Sequence, residues 1–215
     1  MSSTRNLLAL ALAAAGLAGC QPARPEGPPP PRPAVVLEAS ESWRSVALPQ
    51  HAGVSEDMPG LFRQLAGAAR PAAADRELLD PSLALPRAAP APGPYRCRIV
   101  RLGPAAVPPP RGRRASRDSF CFATLVGDRL SLTLETAARP LGGYLWETNH
   151  PGRLVFLGTE FRPRGRTAPP YGEPGAISTA GLFERIGDFR YRLVVRGPQQ
   201  GTADVYELIA APSPR

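Results

Sequence analysis

Alternation of apolar and polar residues over short runs is the feature of this sequence that most restricts its fold. After Pro94 the apolar period becomes two, and glycine, proline, asparagine or aspartate separates most runs from the next. A period of two indicates half-buried β-strands, and short strands joined by tight turns indicate an antiparallel meander. The eight runs are 95–102, 119–126, 130–136, 143–147, 153–161, 179–186, 189–195 and 203–209. Eight strands can close into a small barrel, which removes the exposed edges of the sheet.

The stretch before these runs, residues 35–94, has a different pattern. In SEDMPGLFRQLAGAAR, Leu61, Phe62 and Leu65 recur at helical spacing, and Ser55 is a candidate N-cap. Five prolines between positions 81 and 94 then end any helix. We therefore predict a mainly β fold: a small antiparallel eight-stranded meander or barrel over 95–210, preceded by one or two short helices that pack on it and followed by a tail over 211–215.

Alternation also predicts which side chains share a face in the first two runs. Cys97 lies on the same face as Tyr95 and Ile99, and Cys121 lies on the same face as Ala123. If the two strands pair, the cysteines can meet on the inner face of the barrel. Arg96 and Arg98 would then point outward.

The first 20 residues, MSSTRNLLALALAAAGLAGC, have the layout of a lipoprotein signal. Arg5 precedes an apolar run of about a dozen residues, and the sequence Leu17-Ala18-Gly19-Cys20 follows. The run is too short to span a bilayer, which takes about 20 residues, and small residues precede the cut site of a signal peptide. We predict a signal peptide over 1–19 and acyl chains such as palmitate on Cys20, because two or three chains anchor a protein firmly. The alternative is an ordinary secretory signal with a chance cysteine.

Residues 20–34 then comprise the lipidated cysteine and a tether, since positions 21–34 contain seven prolines. Proline-rich chain stays extended at about 3.1 Å per residue. We expect the domain on the periplasmic side of a Gram-negative envelope, held there by lipid. Gln21 is the second residue after the predicted cut, and the absence of aspartate at that position favours the outer membrane over the inner.

The charge of the chain is basic and unevenly distributed. All 26 basic residues are arginine, a bias typical of GC-rich codons, and eight of them fall in residues 87–117, where no acid occurs. Because guanidinium groups bind phosphate and carboxylate in a bidentate manner, Arg111, Arg113, Arg114 and Arg117 are candidate anion-binding residues. The alternative is a solvated loop. Export from the cytoplasm argues against nucleic acid as a partner. The expected partners are the membrane and an anionic envelope ligand or a protein, and the oligomeric state stays open.

The three cysteines divide into one lipid site and one pair. With Cys20 lipidated, Cys97 and Cys121 form an even pair in an oxidising compartment, which predicts a disulfide. Two separately buried thiols are the alternative. The only histidines, His51 and His150, are far from the cysteines in sequence, so ligands for zinc are lacking. We predict no metal and no cofactor.

The sequence contains no Gly-x-Ser-x-Gly elbow and no phosphate-binding glycine loop before a helix, so enzymatic activity is not favoured. A non-enzymatic binding domain is the favoured function. One alternative is a barrel that resembles protease inhibitors. Another is an envelope glycan hydrolase, in which carboxylates converge at the barrel mouth; solvated charges at strand ends are the simpler interpretation of the same residues. The candidate carboxylates are Glu135, Glu147, Glu160 and Glu184.

The content of the barrel would decide between ligand binding and other functions. A lined cavity of at least roughly 300 Å³ would favour a ligand in the lumen. A lumen filled by aromatic side chains would exclude it. The candidates for such filling are Phe120, Phe122, Trp146, Phe156 and Tyr191.

Several of these motifs together resemble a known family. GPYRCRIVRLG, RLVFLG, LFERIG followed by FRYRLVV, and DVYELI are similar to the family named domain of unknown function 4893, found in Gram-negative envelope proteins. The resemblance covers roughly 43–209 and implies an exported or lipid-anchored domain without assigned activity, so no catalytic residue carries over. It also implies pairing of Cys97 with Cys121 and supports the strand assignments. The sequence departs from the pattern at 105–117 and 162–178.

Overall fold

The computed structural model describes residues 42–104, 119–136, 138–161 and 167–211. Within these residues, eight antiparallel strands follow one another around a closed barrel, and the eighth strand pairs with the first. Two short α-helices precede the barrel. The predicted mainly β fold, with an eight-stranded antiparallel barrel after one or two helices, is therefore confirmed.

The helices are α1 (Trp43–Val46) and α2 (Val54–Ala68), with 3-10 turns at Pro49–His51 and Ala73–Asp75. The strands are β1 (Gly93–Leu102), β2 (Phe120–Val126), β3 (Arg129–Leu134), β4 (Leu141–Glu147), β5 (Arg153–Glu160), β6 (Ser178–Gly187), β7 (Arg190–Arg196) and β8 (Ala203–Ala210). Each predicted run corresponds to one strand, and no strand end differs by more than two residues from its predicted position.

The inner face of the barrel is a packed core. Tyr95, Phe156, Phe183 and Tyr206 are each at most 2% exposed, and leucines from β3, β4, β7 and β8 fill the space between them. Phe183 stacks on Tyr191 with ring centroids 5.5 Å apart. A small eight-stranded barrel has a lumen just wide enough for its own side chains, and here these side chains occupy it.

A disulfide joins Cys97 on β1 to Cys121 on β2 inside the barrel. Both cysteines are buried. Arg96 and Arg98 lie on the outer face of β1, so the predicted division of inward cysteines and outward arginines is confirmed.

Gly158 on β5 lets the lumen close tightly beside β4. A Cβ at this position would lie 2.4 Å from the Gly142 carbonyl oxygen and 2.4 Å from Cζ of Phe156. Any larger residue would therefore displace either the β4 backbone or the aromatic ring that fills the barrel.

A second core lies outside the barrel, between α2 and the outer faces of β6 and β7. Phe62 and Leu65 are buried there, as the helical spacing predicted, while Leu61 is only partly buried. The predicted N-cap was wrong: the helix begins at Val54 with Gly53 as its cap, so Ser55 lies inside the first turn. The acids of that turn, Glu56 and Asp57, favour the same helix start by interacting with the helix dipole.

The candidates for filling the lumen divide between three places. Phe156 and Tyr191 lie inside the barrel. Trp146 belongs to the outer core, and Phe120 and Phe122 are exposed on the outer face of β2. The reason is strand parity: because Cys121 points inward, its two neighbours must point outward.

Candidate functional site

Several predicted site residues lie outside the described part of the chain. These are Cys20, the proline-rich tether and the four arginines Arg111, Arg113, Arg114 and Arg117. Lipidation and anion binding at these positions therefore stay predictions. The strands next to the arginine-rich segment are described, since β1 ends at Leu102 and β2 begins at Phe120.

The four glutamates proposed for a barrel mouth are not brought together. Glu184 is on the outer face of β6, and Glu147 ends β4 at the opposite end of the barrel from Glu160. Glu135 shares an end with Glu160 but is exposed, and its backbone N–H donates to the Phe120 carbonyl. This arrangement does not supply the facing carboxyl pair that a glycan hydrolase uses.

At one end of the barrel, four charged side chains form what we call the rim cluster: Arg101, Arg139, Glu160 and Asp204. Arg101 donates to Asp204 through Nε at 2.7 Å and through Nη2 at 3.2 Å. Arg139 donates through Nε to Glu160 at 2.7 Å and through Nη1 to Asp204 at 3.1 Å. Asp204 is 0% exposed, so its charge depends on these two guanidinium groups.

Neighbouring groups hold the rim cluster in place. Arg139 also donates to the Arg196 carbonyl at 2.6 Å, and the Tyr206 hydroxyl donates to the Arg139 carbonyl at 2.8 Å. Burial raises the pKa of Tyr206, and the hydrogen bond to Asp204 raises the pKa of Arg101 despite partial burial. The cluster has two positive and two negative groups, all of them in ion pairs, and its chemistry fits closure of the barrel end better than proton transfer.

A row of alternating charges crosses five neighbouring strands on the outer face of the barrel. In register order this charge ladder is Arg153, Glu184, Arg192, Glu207 and Arg98. Arg153 and Arg192 donate to the two oxygens of Glu184 at 2.8 and 2.6 Å, and Arg98 donates to Glu207. Like charges opposite each other would be destabilising, and the register avoids them throughout the row.

The segment after α2 covers the charge ladder. Asp75 pairs with Arg98, and Glu77 pairs with Arg190, which also binds Glu207. Arg192 is 0% exposed and donates to the carbonyls of Leu78 and Asp80. Its pKa is lowered by burial, which Glu184 opposes. The ladder therefore fixes residues 73–80 on the barrel.

Another part of the outer surface is uncovered and exposes large apolar side chains among smaller hydroxyl residues. We call it the aromatic face: Phe120, Phe122 and Val126 on β2 and Tyr144 on β4, which are 48%, 40%, 49% and 40% exposed. It centres on β2, which is four strands away from the helix-covered β6 in both directions around the barrel. Large apolar side chains that are exposed near one another often belong to an interaction site.

Charge around the aromatic face is sparse. Arg96 is the register partner of Phe120, and Arg129 is the register partner of Val126. The Arg129 guanidinium lies 3.6 Å from the ring centroid of Trp146. Among the described residues of β2 and β3 there is no acid, and the nearest ones along the chain are Asp128 in the β2–β3 turn and Glu135 after β3.

A small cavity lies under α2, beside the charge ladder. Its volume is about 20 Å³, room for one water molecule. Met58, Phe62, Leu182 and Glu184 are among its lining residues. It is far smaller than a pocket for an organic ligand.

The two histidines are in separate places. His150 lies in the β4–β5 turn, where its Nδ1 accepts from the Gly152 N–H. His51 is partly buried against Tyr171 in the β5–β6 loop. In the described ranges, no three His, Cys, Asp or Glu side chains are grouped so that they could hold a metal ion.

The model of one protein family, described as a domain of unknown function (DUF4893), matches residues 43–208. The chain belongs to this family. The match runs from the first residue of α1 to within two residues of the end of β8, so it spans both the helical segment and the barrel. The chain matches no curated protein and no solved structure. None of the helices described here is long and apolar enough to cross a membrane.

Proposed function

We propose that this DUF4893 chain is a lipoprotein anchored through Cys20 on the periplasmic side of the outer membrane, and that its barrel is a binding domain rather than an enzyme. The lipoprotein signal that ends in Leu17-Ala18-Gly19-Cys20, the proline-rich tether and the disulfide support this proposal. A disulfide is the expected form of a cysteine pair in an oxidising compartment.

The observation that carries the binding function is the contrast between the two faces of β2. The inward face joins a lumen that is already filled, while the outward face exposes Phe120 and Phe122. Binding on the outer surface is therefore favoured over binding inside the barrel. Aromatic side chains are also the residues that contribute most at protein interfaces.

The chemistry of the aromatic face favours a protein partner. Its large side chains are apolar or aromatic and stand among the hydroxyl residues Thr124, Ser131 and Thr133, and the two nearby charges, Arg96 and Arg129, are both positive. We propose that the partner is an envelope protein with an apolar patch flanked by carboxylates. Such a surface would cover the aromatic rings and pair with both guanidinium groups.

The first test concerns the lipid anchor on Cys20. A Cys20→Ala variant should lose incorporation of labelled palmitate and should leave the membrane fraction. Labelling of the variant equal to that of the wild type would contradict the anchor.

The second test concerns the aromatic face and uses the full-length lipoprotein in living cells. A photoreactive amino acid at position 122 should give one adduct with another protein, and the adduct should disappear when Tyr144→Ser is added. The matched control is position 189, because Phe189 is also an exposed aromatic residue, 65% accessible, in the β6–β7 turn.

The partner found in this way allows a quantitative check. Phe122→Ser should weaken its binding to the purified lipoprotein by at least about tenfold, as expected for an interface hot spot. Phe189→Ser should leave binding unchanged. An adduct at position 122 with lipid or with a second copy of this chain would overturn the proposal. So would the absence of any adduct at that position.

A further inference from the structure

A single phenol joins the β5–β6 loop to the segment before α2. The Tyr171 hydroxyl oxygen lies 3.0 Å from the backbone nitrogen of Leu48 and 2.7 Å from Nδ1 of His51. The rings of His51 and Tyr171 also approach, with centroids 5.8 Å apart. We call this pair the latch.

One arrangement of the hydrogens gives each group of the latch a partner. The backbone N–H of Leu48 can only donate, so the Tyr171 oxygen accepts from it. The phenolic hydrogen is then free to bond His51 Nδ1, which requires a neutral imidazole with its hydrogen on Nε2. A protonated His51 would carry hydrogen on both nitrogens, and Tyr171 would lose the acceptor for its own hydrogen.

Burial and one neighbouring positive charge also disfavour protonation of His51. Arg196, at the end of β7, is the charged group that acts on the imidazole, and Asp57 on α2 lies 3.8 Å from that guanidinium. Burial and then Arg196 lower the pKa of His51 from its ordinary value of 6.5. A second positive charge is therefore disfavoured while the latch is closed.

We propose that His51 and Tyr171 form an acid-sensitive latch, in which protonation of His51 releases the β5–β6 loop from the segment before α2. Release lets the imidazolium reach water and move away from Arg196. The folded-state pKa of His51 is lowered, so the closed latch contributes stability at neutral pH and loses it as pH falls below about 6.5.

The loop that would be released lies at the end of the barrel with the rim cluster. Glu160 of that cluster directly precedes the loop, and its N–H donates to the carbonyl of Ile177 at the far end of the loop. The loop also packs on the outer face of β4, where the Cβ of Ala168 fills the space beside Gly142. Opening the latch would therefore loosen 167–177 next to the rim cluster, with the barrel itself intact.

Hydrogen exchange of the full-length lipoprotein in detergent tests the latch. Exchange of peptides covering 167–177 is measured between pH 7.5 and 5, after correction for the intrinsic pH dependence of exchange. Because one proton is linked to opening, the opening equilibrium should start to rise as pH falls below about 6.5, by at most about tenfold per pH unit, and should level off once His51 is also protonated in the closed latch. Peptides from β2 and β3 should keep their protection throughout.

Three variants make the outcome specific. His51→Gln keeps an acceptor for Tyr171 without a titrating group and should abolish the pH dependence. Tyr171→Phe should leave the loop open at every pH. His150→Gln removes the chain's other histidine and should behave as the wild type. Loop protection that is independent of pH in the wild type, or a pH dependence that persists in His51→Gln, would overturn the latch.

Discussion

The buried carboxylate of Asp204 holds two arginine side chains at one end of the barrel. It is 0% exposed and binds both Arg101 and Arg139. Asp204→Ala would leave Arg139, only 8% exposed, with one carboxylate instead of two. Removing one member of a buried ion pair costs about 3–5 kcal/mol, so we expect the free energy of unfolding to fall by that amount in urea titrations.

Asp57→Ala is the matched control for that prediction, because the Asp57–Arg196 pair is 3.8 Å long and more than half exposed on both sides. Exposed pairs contribute little, so the control should lose at most about 1 kcal/mol, including its effect on the α2 dipole. Equal losses in the two variants would show that the rim cluster does not stabilise the barrel.

At the scale of strands and helices, the charge ladder depends on register. Arg192 on β7 meets Glu184 on β6 only because these two strands pair without a slip at this row. It also holds the segment 73–80 through two backbone carbonyls. Arg192→Met should therefore cost about 2–4 kcal/mol and raise hydrogen exchange first in 73–85, before β2 and β3.

Arg196→Met provides the comparison on the same outer face of β7. The side chain of Arg196 is 58% exposed, and its change should cost less than about 1 kcal/mol. If Arg192→Met raised exchange equally in all strands, the ladder would be part of the global core and not a local fastening for the N-terminal segment.

The same dependence on register explains what the sequence could and could not predict. Strand positions are local, so alternation located all eight strands, and parity placed Cys97 and Cys121 inside. Parity from Cys121 also assigns Phe120 and Phe122 to the outer face, which contradicts their prediction as candidates for filling the lumen. Arg101 follows Cys97 and Ile99 on the inward face and could have been found in this way. Its partner Asp204 could not, because it is 103 residues away and their pairing depends on barrel closure.

At the scale of the whole barrel, the seam between β1 and β2 is one of the two shortest strand pairings, since only β3–β4 also pairs over four positions. β1 pairs with β8 over eight register positions but with β2 over four, and one of these four is Pro94, which has no N–H to donate. The disulfide crosses this seam. It links the strand that follows the N-terminal segment to the first hairpin of the meander, and so constrains closure of the whole barrel.

Two measurements follow from a disulfide that is buried inside a closed barrel. Cys97→Ser with Cys121→Ser should lower the free energy of unfolding by about 3 kcal/mol, the chain-entropy contribution of a loop of about 25 residues.

In the wild type, Cys97 and Cys121 are only 5% and 0% exposed, so dithiothreitol can reach the sulfur atoms only when the seam opens. Reduction, trapped by alkylation, should therefore be slow in native buffer and should accelerate with urea in parallel with unfolding. Rapid reduction of the folded lipoprotein without urea would instead mean that the β1–β2 seam opens while the rest of the barrel stays folded.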